Sequence, residues 1–302
     1  MFVGFLMLAS LWVLTGGVSA SKPQRTASTE AASVPILRSM LGADPEALAT
    51  KDIAAVNLAC AEGLPGAEDL DGKELLRTLD VMANQVRRET ERHLYRFRRN
   101  PAEFEGSEGY FRMLMLVVVL AEDFQVHYAP EKISAVGEAR VDDGFFADSR
   151  TVFLHGLTGA RHEGTCSSMP VLYVVVGRRL GYPLKLVATK AHLFVRWEDK
   201  GERFNIEATG HGVNRFDDEY YRHWPFEISR GEEVAQGYLK SLTPAEEFAA
   251  FLSIRAMCLR QGGRLGEAAE AFAAAARFAP GCRSYKEMAA NFSLAGHARH
   301  PQ

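Results

Sequence analysis

Three residues with reactive side chains follow one another along the chain and together could perform nucleophilic catalysis. Cys166 provides a thiol, His192 follows 26 residues later with an imidazole, and Glu207 adds a carboxylate after a further 15 residues. A thiol attacks a carbonyl carbon once a neighbouring base has taken its proton, and a carboxylate can orient that base. The order and types of these residues therefore predict a Cys–His–Glu catalytic site.

The local sequence around Cys166 predicts that the thiol stands at the start of a helix. A Gly-Thr pair comes directly before it, and the apolar segment 169–181 follows, with Pro170 where the first turn of a helix tolerates a proline. A helix N-terminus carries partial positive charge and free N–H groups, which favour a thiolate over a thiol. We therefore expect Cys166 in its reactive form, with His192 as its base.

Beyond this helix the hydrophobic period changes from helical to alternating, which is typical of antiparallel strands. The alternation places His192, Phe194 and Arg196 on one face and the residues between them on the other. Residues 199–201 form the predicted turn between the last two strands. Counting back from it brings His192 opposite 207–209, within reach of the carboxylate if the loop has two or three residues. The predicted strands are 184–189, 192–197 and 203–209.

The part of the chain before Cys166 has a helical pattern of apolar residues. Asp148 and Ser149 cap the last of these segments, which ends at Gly159, and residues 160–164 form the loop that leads to the cysteine. The predicted fold class is therefore α+β, with helices first and the antiparallel sheet after them. The predicted helices before Cys166 are 35–41, 52–60, 71–99, 108–123 and 149–157.

The sequences around the three candidate residues look like those of the bacterial transglutaminase-like superfamily, specifically its SirB-type branch. The resemblance covers about residues 35–245 and implies a transglutaminase-like (papain-like) cysteine-enzyme core, helical over 35–160, with the cysteine helix and the sheet over 161–210. The stretches that carry it are Gly164-Thr-Cys-Ser-Ser-Met-Pro-Val-Leu-Tyr, Leu180-Gly-Tyr-Pro, Ala191-His-Leu-Phe-Val-Arg-Trp and Phe204-Asn-Ile-Glu-Ala-Thr.

The resemblance also implies a role for each residue. Cys166 corresponds to the nucleophile of the superfamily, His192 to the base, and Glu207 to the acid on the next strand that orients the base. Most of the superfamily has aspartate at the third position, so Glu207 adds one methylene to the reach. Asn205 lies on the same strand face and is the alternative orienting residue, as in papain-like enzymes.

The chemistry implied is acyl transfer, in which a thiolate attacks an amide, ester or thioester carbonyl and the acyl-enzyme is released to water or an amine. The main-chain N–H of Cys166 is one expected oxyanion donor, and His155 and His162 are candidates for the second. We therefore expect a cysteine hydrolase or acyltransferase that acts on a peptide or isopeptide bond of a peptide or protein substrate and needs no cofactor. The alternative is a non-catalytic scaffold of the same fold that binds a partner protein.

Residues 246–298 have a different period and resemble one tetratricopeptide-like helical repeat. Counting back from Pro280 as the final position of a 34-residue repeat places small and large packing residues where they are expected. Gly262 and Gly263 make the turn between its two helices. A lone repeat cannot bury its own apolar face, so we expect it to dock on the core or on a further hairpin, and to offer a surface to a protein partner. The packing positions are Leu252, Ala256, Leu259, Ala268, Phe272 and Ala275.

The N-terminus predicts export to the periplasm or the exterior. Residues 1–20 are apolar and end in small residues, as in a signal peptide, and the polar segment 21–34 is typical of a disordered spacer. Because no Lys or Arg precedes the apolar run, an uncleaved membrane anchor is the alternative. A net charge of −3 gives no general reason to expect nucleic acid or a membrane as partner, and the arginine-rich stretch 87–99 is interpreted as a solvated helix face.

The cysteine count predicts no disulfide framework. If Cys166 stays free, Cys60, Cys258 and Cys282 remain as an odd set. Cys258 and Cys282 flank the predicted hairpin and either pair or remain free thiols, of which we favour the second. The spacing of Cys and His residues does not match that of a zinc site, so we expect no metal.

Overall fold

The computed structural model of the protein describes residues 30–135, 144–199, 201–210 and 212–299. In these ranges the chain is a mixture of many helices and a few short strands, in agreement with the predicted α+β class. The α-helices before the sheet are α1 (Glu30–Leu41), α2 (Ile53–Ala61), α3 (Gly72–Arg99), α4 (Glu108–Glu122), α5 (Leu154–Thr158) and α6 (Met169–Arg179), and those after it are α7 (Asp218–His223), α8 (Arg230–Gln236), α9 (Pro244–Gln261), α10 (Leu265–Phe278) and α11 (Arg283–Arg299).

Polar residues at the starts of the main helices explain where those helices begin. The Asp71 side chain accepts hydrogen bonds from two main-chain N–H groups in the first turn of α3, and Ser107 caps α4 in the same way. Thr243 and Glu246 form a capping box at the start of α9, where Pro244 takes the first helical position. These helices therefore begin where the sequence satisfies their free N–H groups.

The helix α6 is the centre of the core, because each of its residues from Met169 to Gly177 is buried. It packs against α3 and α4 on one side and against the sheet on the other. A helix that is apolar all round is stable only inside a protein, surrounded by other elements. The segment that follows Cys166 is therefore held on every side.

The main sheet is antiparallel and has the order β3-β4-β5. The strand β4 begins at His192, and its hairpin with β5 closes through a two-residue turn, since Asp199 pairs with Glu202. Gly201 has φ +89° in this turn, a conformation that favours glycine. The two faces divide as the alternation predicts, with Val195 in the main core and Phe194 in a separate cluster with Tyr221. The strands are β1 (His127–Tyr128), β2 (Glu163–Gly164), β3 (Leu184–Thr189), β4 (His192–Asp199) and β5 (Glu202–Ile206).

The C-terminal helices pack on the core. The helix α9 lies against α2, the helix α10 against α9, and the helix α11 against both α10 and α8. Gly262 and Gly263 lie between α9 and α10 as predicted, and Gly263 has φ +75°. Buried alanines, among them Ala256, Ala268 and Ala275, let these helices approach closely.

Three predicted segments are wrong in their bounds. The last strand was predicted over 203–209, but β5 ends at Ile206 and Glu207 forms only an isolated bridge with Asn214. The disordered spacer was expected to extend to residue 34, but α1 already begins at Glu30, because Glu30, Ala31 and Ala32 are strong helix formers. The predicted helix 149–157 is interrupted, since Ser149–Thr151 is a 3₁₀ turn and α5 starts only at Leu154. Phe153 between them is extended, and the buried Asn57 side chain accepts the hydrogen bond of the Leu154 N–H. Tertiary contacts outweigh local propensity at this point.

The predicted signal peptide 1–20 and the spacer residues 21–29 lie outside the described residues. Within the described ranges, none of the helices combines the length and the apolar character that crossing a membrane requires.

Candidate active site

Cys166 lies in a tight turn directly before α6. The prediction that it opens the helix needs a correction of a few residues, because α6 starts at Met169. The carbonyl of Thr165 accepts hydrogen bonds from the N–H groups of Ser168 and Met169. Local hydrogen bonding thus continues the turn into the helix and leaves the thiol at its N-terminal end.

Side-chain hydrogen bonds attach this turn to the 3₁₀ turn Ser149–Thr151. The hydroxyls of Thr165 and Ser168 both donate to the carbonyl oxygen of Thr151, at 2.9 and 3.0 Å. Gly164 allows the close approach, since a Cβ at this position would lie 2.6 Å from Ser168 Oγ and 2.7 Å from Leu157 Cδ2. A larger residue at 164 would therefore displace the turn that carries the thiol.

His192 and Cys166 face each other at the start of β4. Both side chains are almost fully buried, each residue being 5 % exposed. The Sγ atom of Cys166 lies 4.0 Å from the carbonyl oxygen of Ala191, which stands next to the histidine in a left-handed conformation. The thiol is close enough to the imidazole to contribute to the raised pKa of His192. The structure therefore brings the thiol and the imidazole together across 26 residues of sequence.

Glu207 completes the cluster. Its Oε2 atom accepts a hydrogen bond from His192 Nε2 at 2.9 Å and one from the Tyr221 hydroxyl at 3.1 Å. Its Oε1 atom accepts from the main-chain N–H and the hydroxyl of Thr209, at 2.9 and 2.5 Å. A carboxylate that is only 4 % exposed needs such partners to remain ionised. We call Cys166, His192 and Glu207 the candidate triad.

Asn205, the alternative orienting residue, is not placed beside His192. Its Oδ1 atom accepts from Arg196 Nε at 2.8 Å, and its Nδ2 donates to Asp218 Oδ1 at 2.9 Å and to the Phe216 carbonyl oxygen. The residue faces the same side of the sheet as Glu207 but lies one register step farther from the histidine. Glu207 is therefore the residue that orients the imidazole in this structure.

Two aromatic side chains enclose the imidazole. The ring of Trp224 meets His192 edge to face with centroids 4.6 Å apart, and Tyr221 stacks at 6.2 Å. Tyr221 is itself stacked on Phe194 at 3.7 Å. These rings exclude water from the His192–Glu207 hydrogen bond and thereby strengthen it.

The charges of the buried pair support each other. Burial alone would lower the pKa of His192, but hydrogen bonds with Cys166 and Glu207 outweigh it and raise the pKa to about 9. Burial alone would raise the pKa of Glu207, but the charge of His192 and the hydrogen bonds from Thr209 hold it below its usual value of 4.5. At neutral pH the site therefore contains an imidazolium hydrogen-bonded to a carboxylate.

This pair predicts a specific pH dependence of stability. A pKa raised from 6.5 to about 9 gives His192 a stabilising contribution that is complete below pH 6.5 and lost as the pH rises through 9. The lowered pKa of Glu207 adds a contribution present above pH 4.5 and lost as the pH falls through its folded value. We expect the difference in unfolding free energy between native protein and His192→Gln to shrink by about 3 kcal/mol between pH 6.5 and 9. Urea titrations at half-unit steps measure it, and a constant difference would contradict the assignment.

Neither candidate for the second oxyanion donor is confirmed. His155 is buried against Ser149, with Nε2 and Oγ 3.2 Å apart, and burial lowers its pKa to about 4. The Nδ1 atom of His162 lies 3.3 Å from the Leu157 carbonyl oxygen. Neither histidine is among the residues that line the cavity beside the candidate triad. The Cys166 main chain remains the candidate donor, since the recorded hydrogen bonds of the described residues do not use its N–H.

A cavity of about 290 Å³ lies beside His192. Its lining residues in the described part of the chain include Ser167 and Ala191, which adjoin the thiol, although not Cys166 itself. A larger cavity of about 440 Å³ lies between α2 and the start of α9 and shares no lining residue with the first. Its arginines, Arg178 and Arg179, are paired with acidic neighbours. The smaller cavity is thus the one connected to the candidate triad.

All four cysteines are free thiols, so the alternative of a Cys258–Cys282 disulfide is not found. Burial raises the pKa of Cys60 and of Cys258 to about 12, which leaves both as neutral thiols. Cys282 is partly exposed and lines the cavity beside His192. In the described ranges, no group of three or more His, Cys, Asp or Glu side chains is arranged to hold a metal ion.

The sequence analysis missed the residues that surround the triad. Thr209 and Tyr221 hold the carboxylate, and Trp224 covers the imidazole. The aromatic-rich stretch 216–224 and the helix cap at Asp217 were the signals that could have drawn attention to this segment.

Comparisons with known proteins do not identify a family. No family model, curated protein or solved structure matches the chain.

Proposed function

We propose that this protein is a cysteine-dependent acyl hydrolase or acyltransferase with a transglutaminase-like core and a Cys166–His192–Glu207 triad. The observation that carries the proposal is the position of His192, whose Nε2 binds Glu207 at 2.9 Å while the nearby buried thiol of Cys166 contributes to its raised pKa. A nucleophile, a proton carrier and an orienting acid need such an arrangement.

The proposed reaction proceeds through an acyl-enzyme. At neutral pH His192 is already protonated, so the reaction starts from the form in which Cys166 has given its proton to His192, and the sulfur adds to the carbonyl carbon of the substrate. The bond to the leaving group breaks while the imidazolium returns the proton to that group. Water or an amine attacks the resulting thioester, His192 accepts the proton of the attacking molecule, and the departing sulfur restores the starting pair with the imidazolium. The Cys166 N–H is the proposed donor to the oxyanion.

We further propose a peptide or protein substrate cleaved or joined at an amide or isopeptide bond, and a location outside the cytoplasm. The support for the location is the apolar segment 1–20 with its small residues at the end, and the same segment left uncleaved would tether the protein to the membrane.

A non-catalytic scaffold that binds a protein partner through its C-terminal helices is the second candidate. The observation in its favour is the burial of the thiol and the imidazole, each residue being only 5 % exposed. A substrate carbonyl must reach Cys166 for catalysis, whereas a binding fold needs no such access.

Iodoacetamide labelling separates the two functions. If the triad is active, we expect Cys166 to react at pH 6.5 roughly 10- to 100-fold faster in native protein than in His192→Ala. An ordinary thiol is only about 1 % ionised at this pH, and the lower intrinsic nucleophilicity of a stabilised thiolate offsets part of the gain. Peptide mass spectrometry resolves the rate for each cysteine.

The other thiols of the same chain are internal controls. Cys60 and Cys258 should stay unlabelled, because burial raises the pKa of both to about 12. Cys282, which lines the same cavity, reports on access of the reagent. A Cys166 that reacts no faster than Cys282 and does not respond to His192→Ala would refute the enzymatic proposal and favour the scaffold.

A further inference from the structure

The cavity beside His192 is closed on one side by the C-terminal helices. Ala250, Ser253, Ile254 and Met257 of α9 line it, together with Phe272 of α10. Ser167, Ala191 and His192, next to the candidate nucleophile, line it as well. The C-terminal helices therefore form part of the wall of a cavity that reaches the triad at His192.

The wall of this cavity is apolar. No Lys, Arg, Asp or Glu side chain is among its lining residues in the described part of the chain. His192 lines the cavity as well, but its positive charge is already paired with Glu207. A charged group that entered would therefore lose its hydration for little electrostatic gain, whereas an alkyl group would gain free energy with each methylene removed from water. The apolar lining side chains are Phe145, Phe146, Leu193, Ile254, Met257 and Phe272.

Several polar groups of the cavity already have partners within the protein. Hydrogen bonding with Ser253 acts on the Tyr285 hydroxyl. The Sγ atom of Cys282 lies 3.3 Å from Ser284 Oγ and 3.5 Å from Gln236 Oε1. These groups satisfy their hydrogen bonds inside the protein, so they do not demand a polar ligand.

We propose that the cavity binds the apolar acyl group of the substrate. Its carbonyl lies at Cys166 and His192, and its aliphatic part extends between β4 and α9. This inference rests on the proposed function, and it adds the substrate class. The sulfur of Cys166 forms a thioester with the apolar acyl group, the leaving group departs with the proton from His192, and water releases the carboxylic acid. The apolar acyl group is either a straight aliphatic chain or an apolar amino-acid residue.

A series of 4-nitrophenyl esters tests the substrate class by turnover. From butanoate to hexanoate, kcat/KM should rise about fourfold for each methylene, because each one buried contributes a fixed free energy. The succinate ester, which has a similar length to the pentanoate ester but carries a charge, should react at least about tenfold more slowly than pentanoate. The N-acetyl-leucine ester compared with hexanoate distinguishes an amino-acid source from an aliphatic one. Equal rates for succinate and pentanoate would overturn the proposal.

Variants of Met257 locate the effect in the cavity. Met257→Trp fills the space and should remove the preference for hexanoate over butanoate, and Met257→Ala enlarges it and should move the preference to longer chains. Ala273→Trp adds the same bulk on the exposed face of α10 and should leave the series unchanged. A preference that all three variants retain would overturn the assignment to this cavity.

Binding to Cys166→Ala separates this inference from the proposed function. Isothermal titration calorimetry should detect octanamide but not acetamide, and Met257→Trp in the same background should abolish binding. If no ester is cleaved while octanamide binds in this way, the acyl cavity stands and the enzymatic proposal fails. If esters are cleaved without regard to chain length and octanamide does not bind, the enzyme stands and the acyl cavity fails.

Discussion

Replacement of Cys166 by serine should lower kcat/KM for 4-nitrophenyl hexanoate by at least about 10⁴-fold, the scale seen when the nucleophile of a catalytic triad is removed. The substitution keeps the size of the side chain and its place beside His192. A serine hydroxyl at neutral pH is a far weaker nucleophile than a thiolate. Steady-state release of 4-nitrophenol measures the loss.

Cys282→Ala is the matched control for this experiment. Cys282 is a free thiol that lines the same cavity, but its sulfur lies beside Ser284 and Gln236. We expect this variant to lose far less activity than Cys166→Ser, by about tenfold at most, because its thiol lies in the wall of the acyl cavity but takes part in no bond-making step. If Cys282→Ala removed the activity and Cys166→Ser retained it, the nucleophile would be misassigned.

Replacement of Asp218 by alanine should destabilise the protein by about 3–5 kcal/mol, because it leaves a buried arginine without its counter-charge. Arg196 is 1 % exposed, and its NH2 group donates to Asp218 Oδ1 at 2.6 Å. Asn205 and the carbonyl oxygen of Leu239 accept its other hydrogen bonds, but neither carries a charge. Asp218 is also the first residue of α7, which carries Tyr221 to the carboxylate of the triad. The ion pair therefore connects the sheet with the segment that encloses the site.

The free energy of unfolding in urea measures this effect, and Arg203→Gln is the control. Arg203 also binds Asp218, at 2.8 Å, but its side chain is about half exposed. Exposed pairs contribute between about 0 and 1 kcal/mol, so the control should lose no more than that. Similar losses in the two variants would show that the burial of Arg196 has no special energetic consequence.

The chain order of the reactive residues and the local periods could be predicted from the sequence. The strand β3 has the predicted bounds, and the alternation assigned His192 and Phe194 to the face that packs on α7. The turn residues predicted a loop of two or three residues at 199–201, and the strand pairing has the two-residue turn, which brings Glu207 within reach of His192. These features depend on near neighbours in the chain, which is why the sequence alone was sufficient.

The choice between Glu207 and Asn205 shows where this reasoning ends. Asn205 in β5 and Glu207 directly after it point to the same side of the sheet, because a period of two gives them the same parity. Asp218 and Arg196 engage Asn205, while Thr209 and Tyr221 surround Glu207. Asp218, which binds Asn205, and Tyr221, which binds Glu207, both belong to α7, a helix that the sequence analysis had not predicted.

The sequence by itself was thus sufficient to select Cys166, His192 and Glu207 as candidate residues. It also determined the α+β class and the face of the sheet on which the histidine lies. Only the tertiary structure decided which side chain orients His192, where the turn of Cys166 ends, and that α9 and α10 wall the cavity beside it. A helix or a strand can be predicted from the period of its apolar residues, 3.6 or two, which is visible within a short segment of the sequence. The cavity beside the site is lined by residues as distant in the chain as Ser167 and Tyr285, and no local period carries that information.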